Sequence, residues 1–216
     1  MRDETPELTP ELLLHAYASG VFPMSESRDD PRIFWVDPKR RGVLPIGGFH
    51  ISRSLAKRLR SGIYQISFDR AFAEVVEGCA DRPETWINGP IFDRYCALFD
   101  MGYAHSVEVW AGDTLVGGCY GVALGGAFFG ESMFSRRTDA SKVALAYLLH
   151  HLGRCGFTLF DTQFLTPHLA SLGGIEISRA SYRSQLAKAL MTEAKFDASA
   201  PIADPYCVIQ ASAQTS

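Results

Sequence analysis

Two short stretches of the sequence place polar side chains where they could bind or orient a ligand. The first is Glu131, a carboxylate within the otherwise apolar and small-residue segment Phe129–Ser135. Burying an unpaired charge is costly, so this carboxylate needs either a partner or a purpose. A salt bridge to Arg136 or Arg137 across the following turn would supply a partner. A place on the wall of an apolar pocket would let the carboxylate orient a polar group of a ligand.

The second stretch is Leu159–Gln163, in which Asp161 and Gln163 stand two residues apart. Strand alternation places both side chains on one face. They lie near the carboxyl end of a predicted strand, where α/β sheets usually bind their ligands. A polar strand end that satisfies loop amides is the alternative interpretation.

Other chemistries find little support in the sequence. The six histidines and five cysteines form no metal-binding spacing, so we expect no metal. The cysteines are odd in number and widely spaced, which favours a reducing compartment over a disulfide framework. Ser132 begins a nucleophile-like motif, but the second glycine of that motif is missing.

The charge distribution suggests a local anion-binding surface. The formal net charge is −3, yet no acidic residue occurs from Gly42 to Ser67. The segment holds four basic residues on one predicted helix: Arg53, Lys57, Arg58 and Arg60. They form either a solvated helix face or a patch that meets phosphates. Trp86, in a predicted loop, either packs in the core or stacks on a nucleobase.

Hydrophobic periodicity predicts an α/β protein. After a short helix at Thr9–Ala18, the elements follow the order β-α-α-β-β-β-α-β-α, and Asp69 is the expected N-cap of the helix that runs through Cys79. The three central strands, His105–Trp110, Leu115–Leu124 and Ala127–Phe134, form an antiparallel meander, and the longest helix then runs to Gly156. This order predicts an acetyltransferase-like (GNAT-like) mixed sheet. We expect a small N-terminal domain over residues 1–45 and a catalytic domain over 46–216. No stretch approaches the roughly 20 apolar residues that cross a bilayer.

Ten collinear motifs resemble those of the bacterial leucyl/phenylalanyl-tRNA–protein transferases. The similarity covers about residues 12–183, and its motifs are Tyr17–Pro23, His50–Ser54, Gly78–Ala80, Thr85–Ile87, His105–Trp110, Leu115–Gly118, Gly130–Ser135, Ala140–Lys142, Asp161–Gln163 and Ala170–Gly173.

The resemblance implies an enzyme that moves Leu or Phe, and Met less well, from aminoacyl-tRNA to the N-terminal Arg or Lys of a protein. The product would carry a destabilising N-terminus for N-end-rule degradation. Aminoacyl-tRNA is a co-substrate here, and neither coenzyme A nor another cofactor is implied. We therefore expect a cytoplasmic enzyme that has no membrane partner.

Several site residues also follow from the resemblance. It implies that Trp86 and Glu131 hold the 3′-terminal adenosine and that Asp161 and Gln163 lie at the reacting centre. The amino-acid pocket is implied to include Met133 and Cys119, with Phe134 as a further candidate that strand alternation points away from Met133. Members of the family often carry Trp after the Phe-Pro pair, where this chain has Met24. Phe34 or Trp35 is a candidate to replace that stacking partner.

These residues support a mechanism without a covalent protein intermediate, because the ester is already activated. The acceptor α-amine has an ordinary pKa of about 7.7–8.0, so a useful fraction is neutral near pH 7. We expect Asp161 to orient Gln163, whose carbonyl accepts a hydrogen bond from the attacking amine. Asp161 or the ribose hydroxyl would then relay the proton. The basic helix would meet acceptor-stem phosphates.

Two rival functions remain at this point. A coenzyme-A-dependent N-acyltransferase would need a glycine-rich loop where residues 135–140 stand, and this segment contains no glycine. A non-catalytic tRNA- or degron-binding module would explain Trp86 and the basic helix. It would leave Glu131, Asp161 and Gln163 without a role.

Overall fold

The computed structural model describes residues 8–213. Its helices are α1 (Pro10–Ala18), α2 (Arg53–Arg60), α3 (Phe72–Ala80), α4 (Gly89–Asp100), α5 (Ala140–Arg154), α6 (Pro167–Ser171), α7 (Arg179–Leu190) and α8 (Pro205–Ala213). Its strands are β1 (Phe22–Met24), β2 (Phe34–Val36), β3 (Arg40–Val43), β4 (Gln65–Phe68), β5 (Ala104–Ala111), β6 (Thr114–Leu124), β7 (Ala127–Ser135), β8 (Leu159–Gln163) and β9 (Ile175–Ser178).

A seven-stranded sheet in the order β4-β5-β6-β7-β8-β3-β9 forms the centre of the molecule. All its neighbours are antiparallel except β7 and β8, which are parallel and are joined through α5. This mixed sheet confirms the predicted α/β class. The predicted meander is also present as β5, β6 and β7, and β5 and β6 are buried along nearly their whole length.

Helices cover the sheet through two hydrophobic clusters. One cluster joins α1, α3, α4 and α7 to the sheet, and the other joins α2, α5 and α8 to it. The helix α5 is almost wholly buried, because its apolar residues recur on more than one side of the helix. The helix α5 connects β7 to β8 along the chain, and its packing on the sheet supports both strands.

The N-terminal residues contain more regular structure than the sequence predicted. The helix α1 is present, with Thr9 as its N-cap, but β1 and β2 add a separate two-stranded sheet. The strand β3 lies within residues 1–45 and yet pairs with β8 and β9 in the main sheet. The expected domain boundary at residue 45 is thus corrected, since the main sheet already includes Arg40.

A second correction concerns the start of α3. The sequence predicts Asp69 as its N-cap, but the helix begins at Phe72 without a side-chain cap. Asp69 instead has a φ of 55°. Its carboxylate accepts the Ser106 backbone N–H at 2.7 Å and contacts the His105 ring at 2.7 Å. Asp69 contacts β5 instead of capping α3, because this position also gives the buried His105 ring a hydrogen-bond partner.

Two further observations concern the whole described region. Among residues 8–213, none of the helices combines the length and apolar composition that a bilayer crossing requires. Within the same range, His, Cys, Asp and Glu side chains do not gather in the groups of three or more that hold a metal ion.

Candidate active site

A cleft opens where β7 and β8 stop pairing. Their parallel register ends with Phe129 opposite Asp161, although both strands continue beyond this point. A cavity of about 90 Å³ lies at the separation. Its apolar walls come from β6, β7, β8, α5 and α6 and include Cys119, Met133, Leu145, Leu148, Phe160 and Leu169. An apolar cavity beside polar strand ends is the usual form of a small-molecule site.

Glu131 reaches this cleft through a β-bulge. The β6–β7 register passes from Gly121 opposite Gly130 to Tyr120 opposite Ser132, which leaves Glu131 as the extra residue. A bulge bends its strand and changes the direction of a side chain. The carboxylate therefore turns toward the end of β8.

The carboxylate of Glu131 accepts three hydrogen bonds. Its donors are the hydroxyls of Tyr17 and Tyr95, both at 2.7 Å, and Nε2 of Gln163 at 3.0 Å. Burial raises the pKa of Glu131 to about 7, and the two tyrosine hydrogen bonds oppose this rise. The salt bridge considered between Glu131 and Arg136 or Arg137 is not formed. Arg136 lies beside Asp81 instead.

Asp161 lies below the cleft surface. Its side chain is 0% exposed, and Nε and Nη2 of Arg41 contact its two oxygens at 2.9 and 2.7 Å. The Tyr182 hydroxyl and the Gln163 backbone N–H add hydrogen bonds at 2.7 and 2.8 Å. This carboxylate is therefore saturated. The expected proton relay through Asp161 is corrected, because neither oxygen is open to a substrate.

Gln163 is buried and is connected to the cavity through Glu131, which lines it. Its amide nitrogen faces Glu131, and its amide oxygen has no hydrogen-bond partner among residues 8–213. Its backbone has a φ of 63°, which non-glycine residues rarely adopt. The structure thus brings Gln163 and Glu131 together and places Asp161 behind them.

Two buried hydroxyls lack partners within the described part of the chain. They belong to Tyr120 and Thr162, and both residues line the cavity. Buried polar atoms are nearly always hydrogen-bonded in folded proteins. Both hydroxyls can therefore bond to water or to a ligand in the cleft.

The residues predicted for the amino-acid pocket separate into two groups. Cys119 and Met133 are directly opposite each other on β6 and β7 and line the cavity. Phe134 belongs to the other hydrophobic cluster and packs against Gly78, and the Arg136 guanidinium lies over its ring at 5.2 Å. Its predicted place in the pocket is corrected, because strand alternation turns it to the opposite face.

Trp86 lies close to the polar network. Its ring meets Tyr95 edge to face at 6.3 Å, and Tyr95 donates to Glu131. Met24 is half-buried against the same hydrophobic cluster and pairs in register with Phe34, which is 44% exposed. Cross-strand partners project from the same face of a hairpin, so Phe34 lies beside Met24.

The basic helix α2 is amphipathic. It buries Leu55, Ala56 and Leu59 and leaves Arg53, Lys57 and Arg60 exposed. Arg58 differs from these three, because it is half-buried near the Asp139 carboxylate at 3.9 Å. The helix packs on α5, which also lines the cavity. The exposed charges of α2 therefore lie on the same side of the sheet as α5, which lines the cavity.

Arg41 is a site residue that the sequence interpretation missed. It ends the basic run Lys39-Arg40-Arg41, a composition typical of an exposed segment, but it is 1% exposed. The apolar pair Val43-Leu44 that follows it signals a buried strand. Its partner Asp161 is 120 residues away, so no local pattern could reveal the ion pair.

Comparison with known proteins decides the family. The model of the leucyl/phenylalanyl-tRNA protein transferase family matches residues 43–187, and that of its N-terminal domain matches residues 6–39. The chain is 66% identical over 209 residues to the leucyl/phenylalanyl-tRNA–protein transferase of Ruegeria sp. strain TM1040, covering 97% of this chain and 99% of that protein. This chain belongs to that family.

A second relative is also similar to this chain over nearly its whole length. The leucyl/phenylalanyl-tRNA–protein transferase of Cereibacter sphaeroides is 62% identical over 211 residues, covering 98% of this chain and 99% of that protein. Among solved structures, FemX aligns with a TM-score of 0.47 at 12% identity, over 74% of this chain and 62% of that one.

Family membership establishes the type of reaction. The chain is an aminoacyltransferase, and its substrates are an aminoacyl-tRNA and a protein. The known role of the leucyl/phenylalanyl-tRNA–protein transferases is in the N-end rule of protein degradation. The confirmed resemblance thus removes the two rival functions.

The raised pKa of Glu131 predicts how stability depends on pH. Between the ordinary carboxyl pKa and about 7, the folded state binds more protons than the unfolded state. The free energy of unfolding therefore falls as pH rises through this window. We expect Glu131→Gln to remove this fall, which amounts to about 1–3 kcal/mol between about pH 5 and about pH 8.

Urea unfolding at about pH 5 and about pH 8 measures this difference. Glu74→Gln, on the exposed surface of α3, is the matched control and should retain the wild-type pH dependence. An unchanged pH dependence in Glu131→Gln would show that Glu131 titrates normally.

Proposed function

We propose that this enzyme transfers Leu or Phe, and Met less well, from its tRNA to the N-terminal Arg or Lys of acceptor proteins. One observation carries the proposal: Glu131, which lines an apolar cavity between β7 and β8, accepts a hydrogen bond from the Gln163 amide. Such a cleft can bury the side chain of the transferred amino acid while the ester carbonyl of the aminoacyl-tRNA faces polar groups. We further propose that the sheet is acetyltransferase-like and that the enzyme acts in the cytoplasm.

The apolar cavity would receive the amino-acid side chain. Cys119, Met133 and Leu169 offer apolar contact and no charge. Discrimination by one methylene yields only about 1–3 kcal/mol, so selection against Ile and Val would arise from steric exclusion at Cβ. The flexible thioether of Met133 would let one cavity accept both branched Leu and planar Phe.

The adenosine end of the tRNA would lie above the tyrosine–carboxylate network. Trp86 is half-buried beside Tyr95 and can stack on the base, and Glu131 can accept a hydrogen bond from the nucleoside. Met24 supplies an apolar wall without a planar ring. Phe34, directly opposite Met24, is the residue we propose for the second stacking surface.

The proposed chemistry depends on positioning. Glu131 holds the amide nitrogen of Gln163, which leaves the amide oxygen to accept a hydrogen bond from the attacking amine. A neutral amide cannot store the proton, so the ribose hydroxyl is the proposed relay. Correct placement of two bound reactants can supply most of the acceleration.

We propose that the aminoacyl-tRNA is sufficient and that no other cofactor takes part. The segment before α5 has Asp139 at its N-cap, where a glycine-rich loop would hold a pyrophosphate. A carboxylate at this position disfavours a second anionic group. Arg53, Lys57, Arg58 and Arg60 are proposed to contact tRNA phosphates, with Arg58 already partly neutralised by Asp139.

A transfer assay tests the proposed specificity. Labelled Leu-, Phe-, Met- and Val-tRNA are offered with peptides that begin with Arg, Lys, Asp or Glu. We expect transfer of Leu and Phe to Arg and Lys peptides, weaker transfer of Met, and none of Val. The rate should not change with added coenzyme A or with a chelator. Transfer mainly to Asp or Glu peptides would contradict the proposed acceptor class.

The same assay tests Gln163. We expect Gln163→Ala to lower kcat by about 100-fold, because the amine loses its positioned acceptor. Gln163→Glu should retain part of the activity, since a carboxylate oxygen can accept the same hydrogen bond. The control is Gln185→Ala on the exposed face of α7, which should be silent.

Salt dependence tests the basic helix. Replacing Arg53 and Lys57 together with Ala should raise KM for aminoacyl-tRNA and flatten the slope of log KM against log salt by about 1–2, since fewer counterions are released. A double replacement of Lys188 and Lys195, which are exposed elsewhere, serves as the control. An unchanged slope would remove α2 from the tRNA interface.

A binding measurement tests Phe34. Base stacking on an aromatic ring contributes about 1–3 kcal/mol, so Phe34→Ala should weaken the binding of an aminoacyl-adenosine mimic by about 5- to 150-fold. Trp35 follows Phe34 on the strand and projects from the other face of the hairpin. Trp35→Ala is therefore the control, and a larger loss in that variant would reverse the assignment.

A further inference from the structure

Gln163 is held in a strained backbone conformation. It is the central residue of a γ-turn that Phe164 N–H closes on Thr162 O at 2.6 Å, and its φ is 63°. This positive-φ γ-turn is rare and strained. Strain of this kind persists only where the surroundings impose it, and it is concentrated at functional sites.

The side chain of Asp161 imposes the turn. Its Oδ1 accepts the Gln163 backbone N–H at 2.8 Å and so holds the central residue of the turn. Gly42 allows β3 to lie close to the turn, because a Cβ there would stand 2.6 Å from the Phe164 carbonyl carbon. The turn is thus fixed from one side by Asp161 and from the other by β3.

Arg41 in turn holds Asp161 from several directions. It donates two hydrogen bonds to Asp161, one to the Gly20 carbonyl at 3.0 Å and one to the Tyr182 hydroxyl at 3.2 Å. Its guanidinium also lies 4.6 Å from the ring centre of Phe22 and 4.4 Å from that of Tyr182. These contacts connect the N-terminal segment, β8 and α7.

We propose that Arg41 is a positioning residue for the transfer reaction. It keeps Asp161 in the one place from which the Gln163 N–H is captured, and so it aims the Gln163 amide at Glu131 and the cleft. The inference rests on the proposed role of Gln163. Arg41 itself is buried and does not contact the substrates.

The experiment compares Arg41→Lys with Arg40→Lys. Lysine keeps the charge but loses the two-pronged contact. Misplacement of a reacting group by about 1 Å can lower the rate by about 100-fold. We expect Arg41→Lys to lower kcat by about 10- to 100-fold while KM for aminoacyl-tRNA changes by less than about twofold. Arg40, on the same strand, is exposed and pairs with Glu176, so its variant should match the wild type.

Two further readouts separate positioning from general destabilisation. Hydrogen exchange of the Gln163 amide should be faster in Arg41→Lys, with the core of α5 still protected. In a Gln163→Ala background, Arg41→Lys should lower kcat no further, because the group it positions is gone. A full additional loss in that background, or unchanged protection of the Gln163 amide, would overturn the proposal.

A double variant keeps the test decisive if Arg41→Lys fails to fold. Arg41→Met with Asp161→Asn removes both charges and leaves the Asn oxygen as an acceptor for the Gln163 N–H. We expect a folded protein with kcat lowered at least as far and with a mobile Gln163 amide. Wild-type kcat in this variant would overturn the role of Arg41. Wild-type kcat in Gln163→Ala would instead overturn the proposed role of Gln163.

Discussion

The buried ion pair between Arg41 and Asp161 is the interaction on which the site depends. Removing two charges from water is unfavourable, and their attraction offsets this only when the remaining hydrogen-bonding groups are also satisfied. Here the Gly20 carbonyl, the Tyr182 hydroxyl and the Gln163 N–H complete the set. Loss of either charge would leave the other unpaired in the core. The pair therefore joins three distant segments of chain in one arrangement.

A second constraint is the end of pairing between β7 and β8. Parallel strands that separate expose backbone and side chains to a space between them, and the bulge at Glu131 turns a carboxylate into this space. Tyr17 from α1 and Tyr95 from α4 hold the carboxylate in place. The cleft is thus polar at the end where α1 and α4 contribute their tyrosines, and apolar where α5 and α6 line it.

Much of this fold could be predicted because its elements are strongly periodic. The meander, α5 and the polar residues at the ends of β7 and β8 agree with the expectation from the sequence. The predictions failed where a tertiary contact overrides a local preference. Asp69 serves β5 instead of capping α3, β3 joins the main sheet, and Arg41 is buried although it belongs to a basic run. Phe134 was a candidate for the amino-acid pocket, but strand alternation places its side chain on the opposite face of the sheet.

The sequence alone determined the α/β class, the family and the residue types at the strand ends, since these depend on periodicity and motifs within short segments. Only the tertiary structure decided that the Gln163 side chain contacts Glu131 at the cavity while Asp161 is fully buried. The two residues are neighbours on one strand, and their different roles come from a positive-φ backbone and from Arg41, 120 residues away. A contact over that separation is set by the packing of the sheet, which no local pattern encodes.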